Sequence, residues 1–254
     1  MTRQPRQFSS TGFYHIVFRG VNHCHLFESP EDYEKALGLL KAIKEDLGLE
    51  VHAYVLMSNH VHLLAREKSR GDIVLAMSKL LGPYANWFNK KYLRSGALIA
   101  NRYKSECVED DGYLLQLVRY IHQNPILSGA VKRIADYRWS SYSEYLKGTS
   151  GLVDTGFVLG IFSDDSKEAL QEFTVFHEIQ ETRDFSNPER RRQTEAEAFD
   201  GISTLLGDIR PSAVCGLPKQ ERDRLLVVFK KEGYSIRQIE RVTGISRSVI
   251  ARAL

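Results

Sequence analysis

Residues 58–65, Ser-Asn-His-Val-His-Leu-Leu-Ala, set His60 and His62 one residue apart in a run that otherwise reads as apolar strand. On a strand both imidazoles point to one face, about 6 to 7 Å apart, while Val61, Leu63 and Ala65 point to the other. Two imidazoles so placed can share a divalent cation, although two ligands alone make a poor site and a polar strand face is the plain alternative. About 60 residues later Tyr120 and Asn124 stand four apart in a helical pattern, which stacks them on one helix face. Across a sheet–helix interface Asn124 would complete a three-ligand cation site, with the Tyr120 phenol beside it as nucleophile. An ordinary phenol has a pKa of about 10, so only about one in a thousand is ionised at neutral pH.

The elements that must position these residues are legible as alternating strands and helices. Residues 13–20 are aromatic and β-branched, a strand pattern. Residues 29–48 open on Ser29 as N-cap and Pro30 at the first helical position, carry acids in the first turn and stop at Gly48. Strands over 49–57 and 60–66 are separated by Ser58-Asn59, a tight hairpin. A helix follows over 72–93 with a break or kink expected at Gly82-Pro83, then a fourth strand over 102–109 and a helix over 110–125 closed by Pro125. The β-α-β-β-α-β order with a further helix predicts an α+β fold, a ferredoxin-like core with an antiparallel sheet. Residues 126–147 end in a short aromatic-rich helix that caps it.

From about residue 150 the character changes. Residues 163–181 form a helix candidate with Leu170, Phe173, Phe176 and Ile179 at spacings of three, 187–198 are charged, and 207–218 carry the Pro and Gly of a boundary. Residues 233–254 have the form of a helix-turn-helix: Ile236, Ile239 and Val242 line one helix, Gly244 turns the chain, and Ser246 caps a second helix holding Val249 and Ile250. The expected division is a catalytic domain over 1–150, a helical connector over 151–217 and a DNA-binding module over 218–254.

Composition limits the function classes. A 254-residue chain with 43% hydrophobic and 10% aromatic residues has the material for a packed core. No apolar run approaches the roughly 18 residues that span a bilayer. The polar N-terminus lacks the apolar middle of a signal peptide. Three scattered cysteines, Cys24, Cys107 and Cys215, argue against a disulfide framework. The expectation is a cytoplasmic, nucleoid-associated protein with no membrane partner. Net charge is only +3, yet residues 218–254 hold nine Lys or Arg against four Asp or Glu, which points to nucleic-acid contact there.

The stretches Met-Ser-Asn-His-Val-His-Leu-Leu, Arg-Tyr-Lys-Ser, Leu-Val-Arg-Tyr-Ile-His-Gln-Asn-Pro and Asp-Tyr-Arg-Trp-Ser-Ser-Tyr, in that order, resemble the REP-associated tyrosine transposases. These belong to the single-tyrosine branch of the HUH endonucleases, and the resemblance covers roughly residues 12–147. It implies a metal-dependent single-strand DNA endonuclease and strand transferase with Tyr120 as nucleophile. The implied metal ligands are His60, His62 and Asn124, the metal magnesium or manganese, and the substrate single-stranded DNA bearing a palindromic hairpin. It also implies a monomer, with a dimer the alternative. The chain departs from the family in reading Ile99-Ala100 where members often carry Trp-Gln, and Leu127 where they often carry Arg.

Arg102, Lys104 and Arg119 are the expected DNA contacts of the core, and Arg237, Arg247 and Ser248 those of the C-terminal module, which would take duplex DNA. Tyr84, Trp87, Phe88, Tyr92, Tyr103 and Trp139 can stack on bases, but core burial is the stronger expectation for each. A second His-x-His, His23 and His25 around Cys24, has no partner at ligand spacing and is not read as a metal site. His122, offset by two from Tyr120, is assigned a structural role. Two other classes remain: a DNA-binding regulator with a silent core, against which the intact four-residue set speaks, and a replication initiator or relaxase, which commonly carries a helicase or second tyrosine not evident here.

Overall fold

β1 (Phe13–Arg19), β2 (Glu50–Leu56), β3 (His60–Arg66) and β4 (Lys104–Cys107) pair in the order β2-β3-β1-β4, every neighbour antiparallel. The computed structural model describes residues 8–148, 151–181, 183, 185, 195–207, 209–232, 234 and 236–253. The Ser58-Asn59 hairpin closes through a 2.8 Å bond from the Met57 N–H to the His60 carbonyl. That closure fixes the β2–β3 register and with it the face on which the histidines emerge. Arg19 lies opposite His60, and Val17 opposite His62. Pleat alternation therefore groups His15, Val17 and Arg19 with the two histidines, and Tyr14, Ile16 and Phe18 with Val61 and Leu63 on the reverse face.

α1 (Pro30–Leu47) and α2 (Asp72–Lys91) cover that reverse face, where Phe18, Val61 and Leu63 meet Leu40, Leu80 and Tyr84. Gly48, at φ 64°, ends α1 in the left-handed conformation that glycine adopts most readily. At the other end Asp32 accepts the Glu28 and Ser29 amides at 2.7 and 2.9 Å, Lys91 Nζ at 2.6 Å and the Tyr92 hydroxyl at 2.9 Å. Burial raises the Asp32 pKa, but Lys91 and the two amides reverse this and hold it below the usual carboxylate range. α2 remains one helix through Gly82-Pro83 rather than breaking there. Leu80, Tyr84 and Phe88 are buried on both sides of the proline, so packing outweighs the backbone bond it forfeits.

α3 (Asp111–Leu127) covers the histidine face, which is therefore dry: His15 is 1% and His62 0% exposed. α3 runs two residues beyond its expected end at Pro125. A proline in the last turn loses a single bond, and its fixed φ suits a helix. α4 (Tyr142–Lys147), α5 (Thr155–Gly160) and α6 (Ser166–Glu178) follow, with Tyr145 stacked on Phe173 at 4.5 Å. His177 Nδ1 donates to the Phe173 carbonyl at 2.8 Å, so its Nε2 accepts from His122 Nδ1 at 2.9 Å. His122 Nε2 in turn accepts from the Ser141 hydroxyl at 2.7 Å. His122 is thus part of a buried structural chain.

Arg119 does not stand where a DNA contact would. Its Nε and Nη2 donate to Glu181 at 3.2 and 2.8 Å, Nη1 donates to the Phe176 carbonyl at 3.3 Å, and the guanidinium lies 4.2 Å over the Phe176 ring. Both partners are buried, and the guanidinium has no face left for a phosphate. Gln123 adds bonds to the His177 and Ile179 carbonyls and the Glu181 amide at 2.8 to 2.9 Å.

The chain divides into two compact units, Met1–Glu109 with Leu117–Pro188, and Asp110–Gln116 with Glu189–Leu254, instead of breaking near 150 and 217. Residues 166–181 join the first unit because His177 and Glu181 bond to α3. In the second unit α7 (Glu195–Leu206), α8 (Lys219–Lys231), α9 (Ile236–Thr243) and α10 (Arg247–Arg252) share a core of Ile202, Leu226, Phe229, Ile239 and Ile250. The shared Ile202 explains why the expected connector is no separate part. Ser246 occupies the N-cap position of α10, but no side-chain capping bond forms, and its hydroxyl lies 3.3 Å from that of Ser248. The charged stretch 187–194 lies outside the described residues. Among the described residues no helix is long and apolar enough to cross a membrane.

Two stability measurements follow. Asp32→Ala removes a cap and the buried one of the two carboxylates that hold Lys91, and is expected to lower the unfolding free energy by about 2 kcal/mol in urea titrations. A depressed carboxylate pKa stabilises above its unfolded value and is lost as pH falls through the folded one, so the difference should shrink in strong acid. Glu181→Gln leaves Arg119 buried without its counter-charge and should cost about 3 kcal/mol, whereas Arg119→Met with Glu181→Leu should cost less than the sum of the single changes.

Candidate active site

β3 presents His60 and His62, and the C-terminal half of α3 presents Tyr120 and Asn124, one helical turn apart, to the same place. His60 Nε2 lies 3.1 Å from Asn124 Oδ1. The two imidazoles meet edge to face with centroids 5.1 Å apart, and the Tyr120 ring meets His62 edge-on at 5.4 Å. Tyr120 and Asn124 are each 6% exposed, and Phe185 packs 5.0 Å from the tyrosine ring. The structure brings together the four residues that spacing had paired.

Each imidazole is oriented from behind. Asn59 Oδ1 lies 2.7 Å from His60 Nδ1 and, as an acceptor, takes its proton. A neutral ring has one proton for two facing amide oxygens, so one contact is a hydrogen bond and the other an acceptor pair; with the proton on Nδ1, toward the shorter contact, Nε2 faces the Asn124 oxygen as a lone pair. Protonating the ring would relieve this. Burial nevertheless holds the His60 pKa below its ordinary value; Asn124 opposes that shift and the Arg19 charge adds to it. His62 Nδ1 lies 2.9 Å from His15 Nε2, the rings nearly coplanar with centroids 5.2 Å apart, while His62 Nε2 is buried with no hydrogen-bond partner. Burial, then the neighbouring His15 and His60, then Arg19, push the His62 pKa well down. Burial likewise takes His15 to about 3.

These residues fit a divalent cation. A buried His62 Nε2 with no hydrogen-bond partner lies beside a His60 Nε2 that faces an amide oxygen, and with both imidazoles protonated on Nδ1 the three atoms form an acceptor set without a donor. Two imidazole nitrogens with one amide oxygen should take manganese at least as well as magnesium, which prefers oxygen. Among the described residues no group of three or more His, Cys, Asp or Glu is placed to hold a metal, so a cation here would need the amide oxygen of Asn124 beside the two imidazoles.

The remaining sequence candidates are distributed differently. Lys104 pairs with Val17 across β1–β4, which puts it on the histidine face of the sheet, and Arg102 lies just before β4; both are exposed. In the second unit Arg237 is half-buried, Arg247 Nε pairs with Glu240 at 2.9 Å and Ser248 is exposed. Tyr84, Phe88 and Tyr103 are core residues, and Trp139 stacks on Tyr33 at 4.4 Å. His23 and His25 sit exposed in the loop after β1, with His25 3.6 Å from Glu28. His15 and Asn59 were missed from sequence. Asn59 immediately precedes His60, and His15 shares the parity of Val17, so the β1–β3 register was the signal that could have found it.

Residues 9–124 match the family described as Transposase IS200 like. The chain is 25% identical over 160 residues to a putative REP-associated tyrosine transposase of Haemophilus influenzae, an alignment covering 58% of this chain and 89% of that protein. Its fold is like that of a REP-associated tyrosine transposase solved bound to a REP hairpin, with a TM-score of 0.55 at 16% identity, over 76% of this chain and 100% of that one. Residues 9–124 are therefore similar to the IS200-like transposases, and the chain as a whole is similar to REP-associated tyrosine transposases.

Proposed function

We propose that the chain cuts and rejoins single-stranded DNA beside hairpins through a covalent bond to Tyr120, with a divalent metal held by His60, His62 and Asn124. The observation that carries this reading is the His60 Nε2–Asn124 Oδ1 contact of 3.1 Å, with the Tyr120 ring beside His62. When bound, the metal supplies polarisation of the scissile phosphate and stabilisation of its transition-state charge. His60 and His62 offer Nε2 lone pairs, Asn124 offers its carbonyl oxygen, and three ligands leave coordination positions for phosphate oxygen and water.

The phenolic oxygen of Tyr120 bonds to phosphorus as the P–O3′ bond breaks. The phenol gives up one proton and the departing 3′-oxygen takes up one, leaving a 5′-phosphotyrosine and a free 3′-hydroxyl. The phosphodiester energy is kept, so a second 3′-hydroxyl can attack the adduct and restore Tyr120 without ATP. In-line attack needs an exposed, bent backbone and therefore a single strand. The hairpin carried by the structural relative supports a palindromic hairpin as the landmark beside the cut. Arg102 and Lys104 are the proposed phosphate contacts, and the presence of all four site residues in one chain supports action as a monomer. The β-α-β-β-α-β order with strand order β2-β3-β1-β4 fits a ferredoxin-like core.

We read α9 and α10, joined at Gly244 with φ 75°, as a helix-turn-helix that takes duplex DNA through Arg237, Arg247 and Ser248. The Arg247–Glu240 pair is exposed enough to exchange its carboxylate for a phosphate. A regulator with a silent core would not need the convergence of His60, His62, Asn124 and Tyr120.

Incubated with manganese and labelled hairpin-bearing single strands, wild type should give a covalent adduct, and Tyr120→Phe should bind the DNA but give none. Adduct from that variant at wild-type yield would overturn the reading. In the full chain, Arg247→Ala should weaken duplex binding and reduce the salt slope by about one while leaving single-strand adduct formation unchanged, which parallel filter-binding and cleavage assays would show.

A further inference from the structure

We propose that His15 is a positioning residue for the metal site, the hydrogen-bond acceptor that holds the His62 Nδ1–H when a cation occupies His62 Nε2; the inference rests on the metal-binding reading above. His15 stands on β1 in a position the cleavage chemistry does not use. Its Nε2 is 2.9 Å from His62 Nδ1, and the two rings lie nearly in one plane, with centroids 5.2 Å apart and an interplanar angle of 13°. Both rings are essentially inaccessible to solvent. The outer nitrogens, His15 Nδ1 and His62 Nε2, have no hydrogen-bond partner.

Two neutral rings sharing one hydrogen bond have two arrangements. If His15 Nε2 carries the shared proton, His62 must hold its own proton on Nε2, where it blocks a cation. If His62 Nδ1 carries the shared proton, His62 Nε2 is a bare lone pair and the second proton of the pair rests on His15 Nδ1. Each arrangement leaves one N–H and one lone pair unsatisfied, so hydrogen bonding within the pair does not choose between them. A cation at His62 Nε2 chooses the second. Asn59 constrains His60 in the matching sense, since its carbonyl oxygen accepts only from a protonated Nδ1. Unlike Asn59, His15 can accept or donate, so the His15–His62 pair is a tautomeric switch that metal binding throws.

Such outer contacts to metal-bound imidazoles are generally worth about 10- to 100-fold in affinity. The test is Mn²⁺ binding to the full chain, followed by the electron-spin resonance of free Mn²⁺. His15→Phe fills the space without an acceptor and should weaken binding by about 10-fold or more. His15→Gln returns an amide oxygen near the Nε2 position and should recover most of it. Circular dichroism and the urea midpoint establish that each variant is folded. A second readout needs no variant: ¹⁵N spectra of wild type should show His62 protonated on Nδ1, and His15 on Nδ1, after addition of diamagnetic Mg²⁺ or Zn²⁺. Unchanged Mn²⁺ affinity in folded His15→Phe, or metal-loaded spectra with the shared proton on His15 Nε2, would overturn this inference alone. Wild type that binds no Mn²⁺ would overturn the metal-site reading and this inference with it.

Discussion

His60 of β3 stands between two amide oxygens, Asn59 Oδ1 and Asn124 Oδ1, with one proton to satisfy them, so one of its nitrogens meets an acceptor as a lone pair. A buried imidazole ordinarily finds a donor for its lone pair or takes a proton. Here the first option is blocked because the facing atom is a carbonyl oxygen, and the second is opposed by burial and by Arg19. His62 repeats the pattern with an Nε2 that meets no partner at all. Unsatisfied acceptors cost about 1–3 kcal/mol each. On the proposed reading a cation would recover that cost, with His62 Nε2 freed as a lone pair by the tautomer that the cation itself selects.

Keeping that arrangement requires α3 to stay where it is, and the helix is held from more than one side. Tyr120 and Asn124 lie toward the sheet, while Arg119, His122 and Gln123 engage the segment from Phe173 to Glu181 through a buried ion pair, a histidine chain and three amide bonds. A helix buried nearly all round must satisfy each of its polar side chains individually. The ion pair adds little net stability relative to an apolar replacement, but it fixes the rotation of α3 about its axis, because only one orientation satisfies both sets. That rotation aims Tyr120 at His62.

What could be seen in the sequence follows from the range of the interaction concerned. The hairpin and the parity of His60 and His62 are local, set by the Ser58-Asn59 turn and the period of a strand. The pairing of Tyr120 with Asn124 is equally local, set by helical spacing. His15 was invisible because its partner depends on β1 lying beside β3, a register 47 residues apart in the chain. Arg119 was misassigned for the same reason: its carboxylate is 62 residues downstream, and a lone arginine beside a tyrosine proposed as nucleophile looks like a phosphate contact. Proline at 125 was given too much weight, since its position in a last turn lets α3 continue, and of the break or kink expected at Pro83 the break does not occur because packing on either side keeps α2 one helix. The division at 150 failed because composition does not report that His177 and Glu181 fold back onto α3.

Pulsed electron-spin resonance of the Mn²⁺-loaded full chain tests most directly whether these residues form one metal centre. Two directly coordinated imidazole nitrogens should appear in the electron–nuclear couplings, with one lost in His60→Ala and the other in His62→Ala. A spectrum of Mn²⁺ surrounded by water and oxygen ligands alone, with no nitrogen coupling, would contradict it.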